Sequence, residues 1–253
     1  MKVRIIGSSS AVPRPGRACS SYLIEEAGTK LVLDLGTGAL QSLMRFADPR
    51  KLDAILISHL HPDHFMDLVQ LRYALTIPDP IDPPLPVHLP PEAEAQVARL
   101  AQSLPSSSGE AFFAGALALM EYDAENVLRI GACEIAFRCT AHYIDAYAMR
   151  VVCPSGTVVY SSDTAPCDAV TELARNADLF ICESALGVAG MDHEPRGHSN
   201  AREAAAMARD AHVRHLVLTH YGSGAEPADL QDAAATLFGG RITVADDGMA
   251  IEV

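Results

Sequence analysis

The segment "HLHPDH" at residues 59–64 constrains this chain most, because it follows the apolar run "LDAILIS" at residues 52–58 directly. Imidazole and carboxylate groups are ligands that zinc, manganese and iron share, and burying so many of them without a metal ion would be costly. In an extended H-x-H segment both rings can point to the same side. His59 and His61 are therefore predicted to bind one metal ion. Asp63 and His64, where the chain turns into a helix, are predicted to face a second ion.

One short loop cannot complete two coordination shells, so further ligands are expected at the ends of other strands. His142 follows "CEIAFRCTA", Asp163 follows "TVVYSS" and His220 follows "HLVLT". Open α/β sheets usually build their sites at the carboxyl ends of strands. The predicted first set is His59, His61 and His142, and the second is Asp63, His64 and His220, with Asp163 bridging the two. Asp34 in "LDLGTG" is predicted to orient a ligand histidine from behind.

The pattern of apolar residues predicts strands and helices along the whole chain. Three short strands open it as hairpins or a meander, and helices and strands alternate after residue 38. The stretch "IPDPIDPPLPVHLPP" holds seven of the sixteen prolines and is predicted to be a rim loop or lid, without a central strand across most of it. The segment "AFFAGALALM" (111–120) fits either a helix or a strand. No fixed repeat or linker divides the chain, so residues 1–253 are predicted to form one domain.

Composition narrows the class of partner. The net charge of −13 and the absence of a Lys/Arg-rich stretch make long nucleic acid an unfavourable partner. No apolar run is long enough to cross a bilayer, and a cytoplasmic location is expected. The six cysteines are scattered without a C-x-x-C pair and are predicted to be reduced, buried packing residues. The remaining histidines that we assign to ordinary core or surface positions are His88, His193, His212 and His215.

Together these residues resemble the metallo-β-lactamase-fold hydrolases. The resemblance rests on "HLHPDH", the later His142, Asp163 in "YSSDT", His220 in "LTHYG" and the early "LVLDLGTG". It implies an α+β fold, an αββα four-layer sandwich of two mixed β-sheets flanked by helices, with a dinuclear metal site at one edge. Two divalent ions are expected as cofactors, zinc first, while manganese and iron also suit nitrogen and oxygen ligands.

A second resemblance concerns the segment "GHSNAREAAAMA". Asn200 and Glu203 are predicted to form a capping box, and the helix N-terminus after His198 favours an anion such as phosphate. The order "ADLFICESA...GHSNAREAA...LTH" resembles the phosphodiesterase branch, notably the tRNA 3'-end endonucleases (RNase Z) and bacterial cyclic-nucleotide phosphodiesterases. It implies that His198, supported by Glu183, protonates the leaving oxygen. The alternative is that Ser199 or Asn200 only caps the helix and His198 is incidental.

The predicted function is hydrolysis of a phosphodiester bond by a hydroxide that two metal ions activate, with Asp63, His198 and Glu183 as catalytic residues. A small cyclic or short nucleotide is the favoured substrate. RNase Z enzymes carry a basic arm that this chain lacks, and their H-x-S-x-R-Y pattern reads "HYGSGAE" here. Open alternatives are an RNase Z-type endoribonuclease, a thioester or lactone hydrolase, and a non-catalytic metal-binding scaffold. Arg14 and Arg17 are either phosphate ligands or part of a solvated turn, and the resemblance suggests a homodimer.

Overall fold

The computed structural model describes residues 1–104 and 111–253. Two seven-stranded sheets face each other, and helices pack on the outer face of each sheet. Three hydrophobic clusters separate the four layers, one between the sheets and one under each helical layer. The predicted αββα sandwich with two mixed sheets is confirmed.

The first sheet has a meander at one side and parallel strands at the other. Its strands are β1 (Lys2–Gly7), β2 (Ser21–Glu26), β3 (Thr29–Leu33), β4 (Ala54–Leu56), β5 (Leu85–Leu89) and β6 (Leu117–Glu121), with β14 (Ala250–Glu252) beside β1. Strands β1 to β3 pair antiparallel, as the predicted meander requires, and β3 to β6 pair parallel. The segment 111–120, which the sequence left open, therefore ends in a strand.

The second sheet repeats this division. Its strands are β7 (Leu128–Ile130), β8 (Cys133–Cys139), β9 (Tyr147–Cys153), β10 (Gly156–Tyr160), β11 (Leu179–Glu183), β12 (His215–Thr219) and β13 (Arg241–Val244). Strands β7 to β10 pair antiparallel, whereas β10 to β13 pair parallel. Parallel strands end at the same edge of a sheet, so β10, β11 and β12 bring their following residues together.

The helices lie outside the sheets. They are α1 (Ala39–Leu43), α2 (Pro62–Phe65), α3 (Leu68–Thr76), α4 (Glu94–Ser103), α5 (Asp168–Leu173), α6 (Ala201–Asp210) and α7 (Pro227–Ala235). The capping box predicted for α6 is present, with Asn200 and Glu203 bonding each other's backbone. Across the two described ranges, no helix has the length and apolar character needed to traverse a bilayer.

The alternation of side chains in the strands explains the layering. In β2, Tyr22 and Ile24 face the opposite sheet, while Leu23 between them faces the helices. All three side chains are at most 1% exposed, because both faces of the sheet are covered. Strands that are buried on both faces appear in the sequence as continuous apolar runs, and this pattern predicted most of them.

Most of the proline-rich stretch, residues 77–84 and 90–91, lies outside helices and strands as predicted, but residues 85–89 form a central strand that the sequence did not reveal. Strand β5 includes Pro86 and lies between β4 and β6. The N–H of Leu85 bonds to Ala116 O on the β6 side, so the missing N–H of Pro86 faces β4. Pairing with β4 begins only at Val87, so no ladder hydrogen bond is lost.

The prediction that all six cysteines are reduced and buried is also wrong. Cys133 and Cys153 form a disulfide between neighbouring strands β8 and β9, with Cα atoms 4.5 Å apart. Of the four free cysteines, Cys139 is exposed and Cys167 is half-buried. Sequence spacing alone did not identify the pair, because the register of β8 against β9 brings the two residues together.

Thiol titration tests this disulfide. In denaturant without reductant we expect four reactive thiols per chain, and six after reduction. Replacing both Cys133 and Cys153 by alanine should lower the free energy of unfolding by about 2–4 kcal/mol, because the unfolded chain gains freedom. Chemical denaturation measures this change, and Cys139→Ala serves as the exposed control. Six reactive thiols in the unreduced protein would contradict the assignment.

Candidate active site

The candidate ligands lie where the carboxyl ends of strands from both sheets meet. Asp34 follows β3, the "HLHPDH" loop follows β4, His142 follows β8, Asp163 follows β10 and His220 follows β12. Three residues at these strand ends have left-handed backbone, namely Asp34 (φ 58°), Ser162 (φ 54°) and His220 (φ 53°). This conformation turns the chain sharply, and non-glycine residues that adopt it cluster at functional sites.

The first group of donor atoms comes from His59, His61, His142 and Asp163. His61 Nδ1 lies 3.2 Å from His59 Nε2 and 3.0 Å from His142 Nε2. Asp163 Oδ2 lies 3.7 Å from His59 Nε2 and 3.9 Å from His142 Nε2. The structure thus brings together the three histidines that the sequence assigned to one metal ion.

The second group comes from Asp63, His64, His220 and the same Asp163. Asp163 Oδ1 lies 3.3 Å from His64 Nε2 and 3.4 Å from His220 Nε2. Asp63 Oδ2 lies 3.6 Å and 3.8 Å from the same two nitrogens. Each oxygen of Asp163 faces one group, so this carboxylate lies between the two groups.

Both groups have the spacing that a divalent ion requires. Ligand atoms about 2.0–2.1 Å from a tetrahedral zinc ion lie about 3.3 Å from one another. The observed separations of 3.0–3.9 Å are close to this value. Two buried atoms facing the second group, His64 Nε2 and Asp163 Oδ1, have no hydrogen-bond partner among residues 1–104 and 111–253. Buried polar atoms are normally paired, so a bound cation accounts for both.

The protonation of the histidines also suits metal binding. Burial lowers the pKa of His59, His61 and His142, and that of His220 to about 4. Neutral imidazole is the form that binds metal ions. His64 differs: burial opposes its protonation, but the carboxylates of Asp163 and Asp34 raise its pKa well above its ordinary value. The surroundings of His64 therefore favour a positive charge, and a metal ion bound at the second group would supply one.

Asp34 orients the second group from behind, as predicted. Its Oδ2 accepts hydrogen bonds from His64 Nδ1 at 2.7 Å, Tyr160 OH at 2.8 Å and Ser58 Oγ at 2.7 Å, while Oδ1 accepts from Ser58 N at 2.7 Å. This bond to Nδ1 leaves His64 Nε2 directed at the site. A carboxylate behind a ligand histidine fixes the ring and makes it more basic.

Other ligand rings are held in the same way by groups that the sequence did not reveal. Ser20 Oγ lies 2.8 Å from His220 Nδ1, and His142 Nδ1 donates to Gly197 O at 2.8 Å. Ser58 Oγ lies 3.0 Å from His59 Nδ1. Serine hydroxyls and backbone carbonyls carry no distinctive sequence signal, so only the folded chain identifies these partners.

Gly36 in "LDLGTG" allows the loop after β3 to pack closely against the "HLHPDH" loop. A Cβ at this position would lie 1.9 Å from the backbone oxygen of Asp63. Next to it, Leu35 N bonds to His64 O at 2.7 Å. The loop after β3 therefore packs directly on the backbone of the "HLHPDH" loop, and only glycine fits there.

His198 and Glu183 form a pair beside the two metal-ligand groups. His198 Nδ1 lies 2.8 Å from Glu183 Oε1, and the carboxylate also accepts from Thr164 N and Ala185 N, both at 2.9 Å. Burial alone would lower the pKa of His198, but the hydrogen bond and charge of Glu183 raise it to about 9. Donor atoms of His198 and Glu183 also come within 4.8 Å of Asp163. The structure therefore places His198 and its partner Glu183 directly beside the two metal-ligand groups.

The two early arginines are occupied by the protein itself. Arg14 donates to Ser9 Oγ and to the carbonyls of Tyr221 and Gly222, while Arg17 contacts Asp246, Tyr221 and Ala245. Through these contacts the two arginines connect the loop after β1 with the segments that follow His220. The four histidines assigned to ordinary positions, His88, His193, His212 and His215, do not belong to any metal-ligand group in the described ranges.

Known proteins are similar to this chain in sequence and in fold. A family model described as a beta-lactamase superfamily domain matches residues 29–221. The probable metallo-hydrolase YhfI of Bacillus subtilis is 29% identical, with 100% of both chains covered. The crystal structure of this metallo-beta-lactamase fold protein superposes with a TM-score of 0.87 at 30% identity, covering 99% of each chain.

Two further proteins carry ribonuclease names. Ribonuclease Z of Haloferax volcanii is 26% identical, covering 100% of this chain and 95% of its own length. The crystal structure of the short form of human tRNase Z superposes with a TM-score of 0.76 at 24% identity, over 100% of this chain and 99% of that one. The latter similarity bears on the fold alone. From the family match and the superposition on YhfI, the chain belongs to the beta-lactamase superfamily and has the metallo-β-lactamase fold.

Proposed function

We propose that this hydrolase is a phosphodiesterase with two divalent metal ions, acting on a small cyclic or short nucleotide. The observation that carries the proposal is the His198–Glu183 pair, 2.8 Å apart and next to Asp163. Metal ligands alone would serve lactam, thioester, lactone and phosphodiester hydrolysis equally. A proton donor beside them suits a reaction whose leaving group is a strongly basic alkoxide.

The residues divide the chemical work between them. Divalent ions bound by the two ligand groups would act as Lewis acids and lower the pKa of coordinated water. Glu183 accepts the Nδ1–H of His198, which leaves Nε2 free to point away from it. Glu183 raises the pKa of His198 to about 9, so this partner favours the protonated ring that can donate to the departing oxygen. Ligand-capable atoms of His198 and Asp163 lie within 4.8 Å of each other, so a phosphate bound at the two ligand groups would lie within reach of that proton.

The charge of the molecule supports a small substrate. The chain has a net charge of −13, which repels a long polyanion. Arg14 and Arg17 near the site are engaged with protein oxygens. The relatives named Ribonuclease Z make precursor tRNA the second candidate, because they match the chain over its whole length.

Metal analysis tests the dinuclear site. We expect about two equivalents of divalent metal per chain, zinc first. His142→Ala and His220→Ala each remove a ligand from a different group, so each should lower the metal content by about one equivalent. Mass spectrometry of the metals after dialysis measures this, and His193→Ala is the control because His193 is exposed outside the groups. One equivalent in the unmodified chain would refute the dinuclear proposal.

Replacing Asp34 by asparagine tests the support behind His64. Asparagine keeps the shape but removes the charge, so metal affinity should fall about 10–100-fold. A competing chelator gives the affinity by titration. The control is Asp53→Asn, since Asp53 also accepts a backbone N–H, from Lys30 at 2.7 Å, on the surface. Equal affinities of Asp34→Asn and the unmodified chain would remove Asp34 from this role.

His198→Ala tests the proton donor. On a cyclic nucleotide, whose ribose alkoxide must be protonated, kcat should fall about 10²–10⁴-fold while the metal content stays the same. His193→Ala, in the same loop, should retain full activity. A variant lacking His198 that still turns the substrate over at the normal rate would show that the residue takes no part in the reaction.

A substrate panel tests the class of reaction. It contains bis-p-nitrophenyl phosphate, a cyclic nucleotide, precursor tRNA, a lactone and a thioester, each offered to protein with measured metal content. We expect the highest kcat/KM for a small phosphodiester. Preference for precursor tRNA would favour the second candidate, and hydrolysis of only the lactone or thioester would overturn the proposal.

A further inference from the structure

The loop between β11 and α6, residues 184–200, carries His198. We propose that Asp192 in this loop is a positioning residue, which fixes the backbone of His198 and couples it to the metal-ligand candidate His142. This inference rests on the proposed role of His198 as proton donor.

Asp192 collects hydrogen bonds from the segment that contains His198. Its Oδ2 accepts from Gly197 N at 2.6 Å, His198 N at 3.0 Å and Tyr143 OH at 2.8 Å, and its Oδ1 accepts from Arg196 Nε at 2.9 Å. The side chain is only 9% exposed, so these bonds are shielded from water. A carboxylate that accepts four donors holds them in one arrangement, because charge-assisted hydrogen bonds are strong and directional.

The backbone N–H and C=O of Gly197 link the Asp192 carboxylate to the metal-ligand candidate His142. The Gly197 N–H donates to Asp192, while its neighbouring carbonyl accepts from His142 Nδ1 at 2.8 Å. A Cβ on Gly197 would lie 2.6 Å from the ring of Tyr143, so the backbone lies directly against that ring. The ring centroid of Tyr143 is 5.0 Å from that of His142 and 5.5 Å from that of His198. Ring, peptide and carboxylate thus form one packed unit.

Arg196 anchors the same unit to α6. Its Nη2 donates to Glu203 Oε2 at 2.9 Å, and Glu203 also caps the start of α6 through Asn200 N at 3.1 Å. The loop is therefore held at the Asp192 carboxylate and at the helix N-terminus, on either side of His198. With the loop held at both points, the imidazole of His198 is restricted to positions from which it bonds to Glu183.

Proton transfer depends on this restraint, because a displacement of about 1 Å can cost about 10²-fold in rate. Asparagine at position 192 would keep the size of the side chain, but it lacks the charge and only one of its two polar atoms accepts hydrogen bonds. Its NH2 group would face either Arg196 Nε or the N–H groups of Gly197 and His198, all of which donate. The backbone of His198 would then lose part of its support, whereas the ligand atoms would remain.

The kinetic test compares leaving groups. For Asp192→Asn we expect kcat on a cyclic nucleotide to fall about 30-fold, with KM and metal content unchanged within about threefold. On bis-p-nitrophenyl phosphate, whose nitrophenolate leaves without protonation, kcat should stay within about threefold. The matched control is Asp178→Asn, because Asp178 also accepts a backbone N–H and an arginine, from Thr157 at 2.8 Å and Arg214 at 2.7 Å. It precedes β11 at the end away from Glu183 and should leave both activities unchanged.

A double variant separates positioning from general stability. In a His198→Ala background, Asp192→Asn should cost no further activity on the cyclic nucleotide, because the group that it positions is gone. Equal losses on both substrates, or a further loss in that background, would show that Asp192 supports the metal site or the fold instead.

An NMR measurement gives a readout independent of turnover. In metal-free protein, the ¹⁵N shifts of the His198 ring report its bond to Glu183, and Asp192→Asn should move them toward the values of a free imidazole. Unchanged shifts would overturn the inference. If the unmodified protein hydrolyses no phosphodiester, the proposed function fails, while these shifts still decide whether Asp192 positions His198.

Discussion

The carboxylate of Asp163 is the group on which the rest of the site depends. It is 2% exposed, and its two oxygens face four imidazole nitrogens at 3.3–3.9 Å. A buried carboxylate is costly unless opposite charge or hydrogen bonds compensate it. The groups around it come from both sheets, since His59 and His64 follow β4 and His142 and His220 follow β8 and β12. The positive charge that the site favours on His64, or a bound cation, would compensate the carboxylate. The sandwich therefore has to close in one arrangement for this charge to be tolerated.

Support for the ligands is built into the same strand ends. Asp34 follows β3 and bonds to His64, while Tyr160 at the end of β10 bonds to Asp34 across the core between the sheets. Ser20, before β2, bonds to His220 from the other sheet. Each bond fixes one ring nitrogen and leaves the other directed at the site. Such partners restrict ring rotation, so the donor atoms are arranged before any ion binds.

The loop between β11 and α6 distinguishes this site from a bare pair of metal-ligand groups. Glu183 ends a buried strand, and His198 reaches it from a loop held by Asp192, Arg196 and the capping box of α6. The polar network connects the proposed proton donor with His142 through the Gly197 peptide. The proposed proton donor thus depends for its position on how this loop is anchored, in addition to the two ligand groups.

The sequence by itself determined most strands and helices, the ligand candidates and the capping box, because apolar periodicity, the H-x-H-x-D-H spacing and cap residues are local signals. Its resemblance to the metallo-β-lactamase-fold hydrolases implied the fold class. The sequence did not locate strand β5, since whether the missing N–H of Pro86 matters depends on which neighbouring strand that N–H would face. It also missed the disulfide, whose partners meet only through strand register. Tertiary structure alone decided that Arg14 and Arg17 bind protein oxygens and that Ser20, Tyr160 and Asp192 support the site. These contacts join residues distant in sequence, and single serines, tyrosines or aspartates carry no pattern until the chain brings their partners within hydrogen-bond reach.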